Sequence, residues 1–317
     1  MLENIKKKVL ISIILAGVLY LGFTLYANYG QVGRALEKFN WLLFPLLLLL
    51  SFMNYVTRFF KWDYYLSIIN VKIKKLTSFS IFMSGLLMAV TPGKVGEFLK
   101  CYLVKEITET PMSKTGPIVI AERITDSVSI ILIILIGAYF YNVLTGFVLF
   151  FTILLFLIIY LLSNKRISLK VISFFENFKF LEKHMHKIHT AYESSYILLR
   201  PLPLFKMILL SLFAWFFECL SYYIILKNFN VNVDLFWASF SYGLSTMIGA
   251  VSMIPGGLGF TEGSMTFLLV QKHYSKNIAV ASTILIRIVT LWFAVLIGIV
   301  SLSIYQSKHS KLLTTKI

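Results

Sequence analysis

The chain has 317 residues, 58% of them hydrophobic, 16% aromatic and only 14% charged, with a mean hydropathy of +0.81. That lies outside the range of water-soluble globular domains and sets the expected fold class as an all-α polytopic membrane protein. The formal net charge of +16 sits in short segments between apolar runs, where topology signals and contacts to anionic lipid belong, and it gives nucleic acid no footing as a partner.

A spanning helix needs about 20 mainly apolar residues. Eight stretches approach that length: 8–26, 41–57, 77–91, 118–140, 146–162, 204–226, 235–254 and 278–305. The first follows Lys6, Lys7 and Lys8, as a signal peptide would. Its apolar run exceeds a signal core of about 7–15 residues, and Leu25-Tyr26-Ala27 is a poor cleavage site, so a retained helix over 8–26 is expected. The second segment ends near Arg58, Lys61 and Trp62, a basic and aromatic group that reads either as an interfacial anchor or as a headgroup contact.

The third segment runs into Thr91-Pro92-Gly93-Lys94-Val95-Gly96-Glu97, and the seventh into Ile254-Pro255-Gly256-Gly257-Leu258-Gly259-Phe260-Thr261-Glu262. Neither cluster can continue a helix. Unsatisfied backbone at membrane depth costs several kcal/mol unless it lies inside protein or lines a wet cavity, so each cluster is read as the tip of a re-entrant hairpin. The segment 164–203 between them mixes lysines with Val171, Ile172, Phe174, Phe175, Phe178 and Leu181 and predicts amphipathic helices on the anionic leaflet. Its His184, His186 and His189 lack a fixed fourth ligand, and Cys101 and Cys219 lack a paired spacing, so no metal site is expected.

The prolines of the two clusters are 163 residues apart. The same offset relates the helix near Trp41 to that near Leu204, and places Arg123 within one residue of Arg287. The single membrane domain, 1–317, is therefore read as a first helix, a repeat over 41–140, a cytoplasmic linker over 164–203 and a second repeat over 204–305. With the N-terminus in the cytoplasm, the linker, the Lys72, Lys74 and Lys75 loop and the C-terminal lysines all fall inside. The second repeat is then inverted relative to the first, with a binding site expected at their interface.

A charge at a helix centre costs about 2.5–3.5 kcal/mol on insertion scales. Glu122, Arg123 and Asp126 open the fourth span, Glu218 lies inside the sixth, Arg287 inside the last, and Glu97 and Glu262 close the hairpin tips. Arg123 and Arg287, with Arg58 and Lys94, are the candidate headgroup ligands, because guanidinium meets phosphate in a fixed fork. Glu97, Glu122, Asp126, Glu218 and Glu262 would orient them or exchange protons, or all of these residues would simply pin hairpins to helices. Amides around Gly93, Gly96, Gly256, Gly257 and Gly259 would add an anion nest. No Walker loop, Gly-x-Ser-x-Gly or His-Glu-x-x-His occurs, so no catalytic residue and no cofactor are indicated.

Pro92-Gly93-Lys94-Val95-Gly96-Glu97, then Glu122-Arg123 with Asp126, then Pro255-Gly256-Gly257-Leu258-Gly259 with Glu262, together resemble the transmembrane family of lysylphosphatidylglycerol synthase/flippase proteins, which includes the membrane domain of the multiple peptide resistance factor. The resemblance runs from about residue 8 to 305. It implies a flippase for aminoacylated phosphatidylglycerol or, as in relatives that accompany glycosyltransferases, for a polyprenyl lipid. Only about a dozen residues follow the last span, so a stand-alone membrane domain without the soluble transferase is expected. The resemblance implies Arg at the position of Lys94, and the lysine keeps the charge and loses the fork.

The leading expectation is thus a flippase or scramblase in the cell membrane, its partners being membrane phospholipids and other copies of itself. A membrane component of lipid synthesis working with a separately encoded transferase is the second, and a transporter of small solutes or ions the third.

Overall fold

The computed structural model describes residues 17–25, 27, 29–91, 96–141, 146–163 and 185–314. Among these residues the structure is helical and contains no strand. After a helical stretch over 17–25, the elements are α1 (Tyr29–Glu37), α2 (Phe44–Ile68, led by a 3₁₀ turn at Trp41–Leu43), α3 (Lys75–Leu86, extended by 3₁₀ turns at Leu87–Val90), α4 (Leu99–Thr108), α5 (Met112–Tyr141), α6 (Gly146–Ser163), α7 (Met185–Leu198), α8 (Pro201–Asn228), α9 (Leu235–Val251), α10 (Phe260–Gln271), α11 (Lys276–Arg287), a π-helical segment (Ile288–Trp292) and α12 (Phe293–Thr314). Among the described residues, three helical runs are long and apolar enough to cross a membrane: Trp41–Ile68, Pro201–Asn228 and Lys276–Ser307. The apolar helices Lys75–Val90 and Leu235–Val251 are shorter.

Local chemistry sets the boundaries. The Asn40 side chain accepts the Leu42 amide and Asp234 accepts that of Trp237, capping the starts of α2 and α9. Both α2 and α8 carry proline in the first turn, where its missing N–H costs nothing. They also end alike. Asn70 and Asn230 take φ of 56° and 57°, a left-handed conformation that asparagine tolerates. The Val71 and Val231 amides then reach back to the carbonyls of Leu66 and Leu226, each at 2.9 Å.

The two halves correspond element by element. α2, α3, α4 and α5 match α8, α9, α10 and the run from α11 to α12. The offset is not constant, however. It is 160 between Asn70 and Asn230 and 164 between the left-handed Glu109 and His273. About one helical turn is therefore gained around the second hairpin, a change that the uniform offset of 163 expected from sequence averages over.

α2 packs on α8 across the middle, α3 packs on α12, and α9 packs on α5, so the first arm of each hairpin lies against the long helix of the other half. Glycine permits the approach at both crossings. A Cβ at Gly137 would stand 2.5 Å from Phe240 Cβ, and one at Gly298 would stand 2.7 Å from Leu87 Cα. Polar and ring contacts also define two poles. At one, Asn228 Oδ1 accepts the Asn40 amide at 3.0 Å and Tyr141 donates to Asp234. At the other, Lys206 lies over the Tyr64 ring, and Tyr305 reaches the Leu103 carbonyl at 3.5 Å.

The leaflet reading of the linker rests on Val171, Ile172, Phe174, Phe175, Phe178 and Leu181, which lie outside the described residues. Within 164–203, residues 164–184, including His184, lie outside the described residues. α7 packs on α5, α2 and α6, with Tyr192, Leu198 and Leu199 buried. These three side chains are therefore covered by protein.

Candidate functional site

Asp126, on α5, is the centre of the first half. Its carboxylate accepts Arg58 Nη2 at 2.6 Å, Lys61 Nζ at 2.6 Å and the Ser211 hydroxyl at 3.0 Å, and pairs with Arg123 at 3.3 Å. Lys61 also donates to Thr125 Oγ1 at 2.9 Å and Ser211 Oγ at 2.6 Å. Ser211 belongs to α8, so this knot ties the halves together. One turn before Asp126, Glu122 accepts Lys100 Nζ at 2.6 Å. The lysine stem lies over Gly85, and its ammonium stands 4.8 Å from the Trp62 ring centroid and 5.1 Å from that of Phe82, both cation–π distances. Arg123 completes this half with an ion pair to Glu97 at 3.1 Å.

The second half is built around Glu262, which plays two roles. One carboxylate oxygen accepts the Gly259 amide at 2.7 Å and caps α10. The other accepts Arg287 Nε at 2.7 Å and Tyr20 Oη at 3.4 Å. Arg287 Nη2 donates to the Gly256 carbonyl, fastening the hairpin tip to α11. The adjoining π segment opens the hydrogen-bond ladder, and Tyr55, from the first half, donates to its Thr290 carbonyl at 2.7 Å; π-bulges often mark such sites. Glu218, on α8, accepts the Tyr242 hydroxyl at 2.6 Å.

These groups surround a cavity of about 100 Å³ whose charged lining is Arg58, Lys100, Arg123, Arg287, Glu97, Glu122 and Glu218, with Tyr55, Trp215, Tyr242 and Thr246. It has room for several waters. A separate apolar groove of about 490 Å³ runs beside the second hairpin tip, between Leu19 and Ile254, Leu258 and Phe260.

Of the residues singled out in sequence, Arg58, Arg123, Arg287, Glu97, Glu122 and Glu218 meet at the cavity, with Asp126 and Glu262 directly behind it. Pro92, Gly93 and Lys94 lie outside the described residues. The second tip breaks the helix as expected, with Pro255 opening a turn and Gly256, Gly257 and Gly259 at φ of 63°, 64° and 85°, where glycine is the least strained residue. It does not offer the anticipated anion nest. The amides of Gly257 and Leu258 are spent on the carbonyls of Ile254 and Pro255, and that of Gly259 on Glu262. At the first tip, Gly96 donates its amide to Thr91 Oγ1 at 3.0 Å.

The interfacial-anchor reading of Lys61 and Trp62 also fails, since they are 1% and 0% exposed and Lys61 is a structural partner of Asp126. Lys61 follows Arg58 by three residues and Lys100 follows Glu97 by three, spacings that put each pair on one helical face; that was the available signal for both lysines. Tyr20, Tyr55, Tyr242 and Ser211 carried none, because tertiary packing alone brings them here.

The model of the family described as the lysylphosphatidylglycerol synthase TM region matches residues 9–298. A UPF0104 membrane protein of Methanocaldococcus jannaschii is 27% identical over 231 residues, covering 69% of this chain and 93% of the relative. Another, of Methanothermobacter thermautotrophicus, is 22% identical over an alignment of 337 positions that covers 98% of this chain and all of the relative. A third, of Pyrococcus horikoshii, is 24% identical and covers 80% of this chain and 83% of its own length.

Proposed function

The chain belongs to the lysylphosphatidylglycerol synthase transmembrane family, and on that footing we propose that it is a flippase or scramblase that passes lipid headgroups through the cavity between its two halves. The supporting observation is the convergence of five cations and five carboxylates, drawn from both halves, inside an otherwise apolar bundle. A well-packed apolar core commonly equals or exceeds a buried ion cluster in stability, so stability alone gives little reason for this cluster at membrane depth. Handling a polar group there does.

In this reading the second half is inverted relative to the first and the hairpins act as gates. The apolar groove beside the second tip carries a lipid chain while the cavity holds its headgroup. The pole bearing Lys72, Lys74, Lys75, Arg200 and Lys206 faces the cytoplasm, in the cell membrane.

The test is movement of a fluorescent lipid between leaflets of liposomes holding the purified protein, beside a variant carrying Arg123→Gln and Arg287→Gln. The double variant should fall to the protein-free rate. Wild-type movement by a correctly folded double variant refutes the mechanism. The word synthase in the family description favours a second reading, a membrane component of lipid synthesis with a separate transferase. A deletion strain then lacks a lipid species, whereas the flippase reading predicts normal lipid content with altered leaflet distribution.

A further inference from the structure

Resting on the flippase reading, we propose that Leu258 and Leu291 form a lateral gate between the apolar groove and the charged cavity, with Tyr20 of the first helical stretch as its latch. This gate is a moving part separate from the two hairpins. Opening it joins the two hollows, so that one lipid can keep its chain in the groove and its headgroup in the cavity.

The two ends of a lipid are covalently joined, so occupying both hollows at once requires a continuous path between them. In this structure the groove and the cavity are separate. Leu258 lines the groove and Leu291 lines the cavity, and they are 1% and 8% exposed. Both belong to one apolar cluster, with Leu19, Tyr20, Ile254 and Trp292 packed against it. Gly256 stands where they meet: a Cβ built there would lie 3.2 Å from Leu291 Cδ2 and 3.7 Å from Leu258 Cγ. Because Gly256 has no side chain, the two leucines are what divides the hollows at this point. A permanent opening would turn the charged lining toward hydrocarbon, where polar groups without partners are expensive.

The wall is built on segments that can shift. Leu258 follows the 3₁₀ turn Pro255–Gly257, and Leu291 lies in the π-helical segment Ile288–Trp292. Neither is held in a regular α-helix, and moving parts are drawn from such weakly held elements. Tyr20 fastens the wall from outside both halves. Its hydroxyl accepts Trp292 Nε1 at 3.0 Å, one residue beyond Leu291, and donates to Glu262 Oε1 at 3.4 Å. Arg287 holds that same oxygen more closely, at 2.7 Å. Tyr20 can therefore leave while the Glu262–Arg287 clamp stays fastened. The neighbouring Leu19 lines the groove and lies 3.8 Å from a Cβ built on Gly259, so displacing this stretch widens the groove beside Leu258.

The test uses the full-length protein in liposomes, with Thr246→Cys placing a thiol in the cavity lining. Cys101 and Cys219, at 0% and 2% exposure, set a background measured without that substitution. Labelling is timed with a maleimide on a dodecyl chain dissolved in the bilayer and with a sulfonated maleimide in the water. Leu258→Ala or Leu291→Ala removes packing that holds the closed state and should raise the ratio of the first rate to the second about tenfold. Tyr20→Phe, which removes only the latching hydroxyl, should raise it less. An unchanged ratio in the folded variants overturns the gate, and so does an equal rise with both reagents, which reports a loosened fold. Movement of fluorescent phosphatidylglycerol is followed in the same variants. Faster movement alongside the higher ratio ties the gate to transport. If the wild type moves lipid and a higher ratio brings no faster movement, the wall is off the lipid's route and the proposal fails. If no protein moves lipid but the ratio rises, the flippase reading fails while the gate stands.

Discussion

Replacing Gly298 by alanine probes the contact by which α12 of the second half meets the first hairpin. The added Cβ would lie 2.7 Å from Leu87 Cα and 2.8 Å from its Cβ, and closer still to its amide nitrogen. These are mainly backbone atoms of the 3₁₀ turn that extends α3, so no rotamer change relieves the overlap and the helices must separate. Overpacking of this kind costs about 1–3 kcal/mol, and the backbone obstacle places Gly298→Ala at the upper end. The opposite sign is expected at Gly33, inside α1, where a Cβ meets nothing within 4 Å. Alanine there gains the usual helix preference of about 0.5–1 kcal/mol. Cys101 and Cys219 are buried, at 0% and 2% exposure, and serve as internal reporters. Thermal unfolding in detergent, followed by their labelling with a thiol-reactive dye, should show Gly298→Ala melting several degrees below wild type and Gly33→Ala at or above it. Equal melting of Gly298→Ala and wild type would refute the close crossing.

Asp126→Asn removes the charge that Arg58 and Lys61 share and should cost about 3–5 kcal/mol in the same unfolding assay. Arg287→Lys keeps the charge but cannot hold both Glu262 and the Gly256 carbonyl, and a loss of about 1.5–3 kcal/mol should appear in denaturant melts. Asp234→Ala removes the cap of α9 and should cost about 1 kcal/mol, again read as a lower melting temperature. Partial burial opposes the charge on Asp234, yet the Tyr141 hydroxyl, the Trp237 amide and Lys272 together hold its carboxyl below the usual carboxylate range. Its contribution is therefore present above the unfolded value of about 3.9 and lost as pH falls through the lower folded value. The melting-temperature gap between wild type and Asp234→Ala should close on acidification.

The second hairpin was legible because proline and three glycines in five residues leave a helix no way to continue, and Glu262 could be placed at the tip of that break. The charged residues were legible as expensive, which is why eight of the ten members of the cluster could be named from position alone. Lys61 and Lys100 were misplaced or passed over because a lysine near the end of an apolar run ordinarily reaches for the interface. What reverses this is tertiary: Ser211 from the other half and Asp126 for Lys61, and two aromatic rings for Lys100. The anion nest was misread for a similar reason. Glycine at positive φ exposes amides only when no nearby carbonyl takes them, and here Ile254, Pro255 and Glu262 do.

The two halves share one order of elements, but their charges differ in a way that separates the two hairpins. Each half joins a hairpin glutamate to an arginine on the following long helix, Glu97 to Arg123 and Glu262 to Arg287. The second pair is hydrogen-bonded at 2.7 Å and backed by the Gly256 carbonyl and the Gly259 amide. The first stands at 3.1 Å, with Arg123 shared toward Asp126. At the position equivalent to Asp126 the second half has Thr290, and the counterpart of Arg58 is Glu218. Breaking the Glu262–Arg287 clamp would leave a buried carboxylate and a hairpin carbonyl unpaired together, whereas Arg123 can leave Glu97 while keeping Asp126. On the proposed flippase reading the first half therefore opens at lower cost, and a phosphate that draws on Arg123 would loosen the first hairpin and leave the second one fastened.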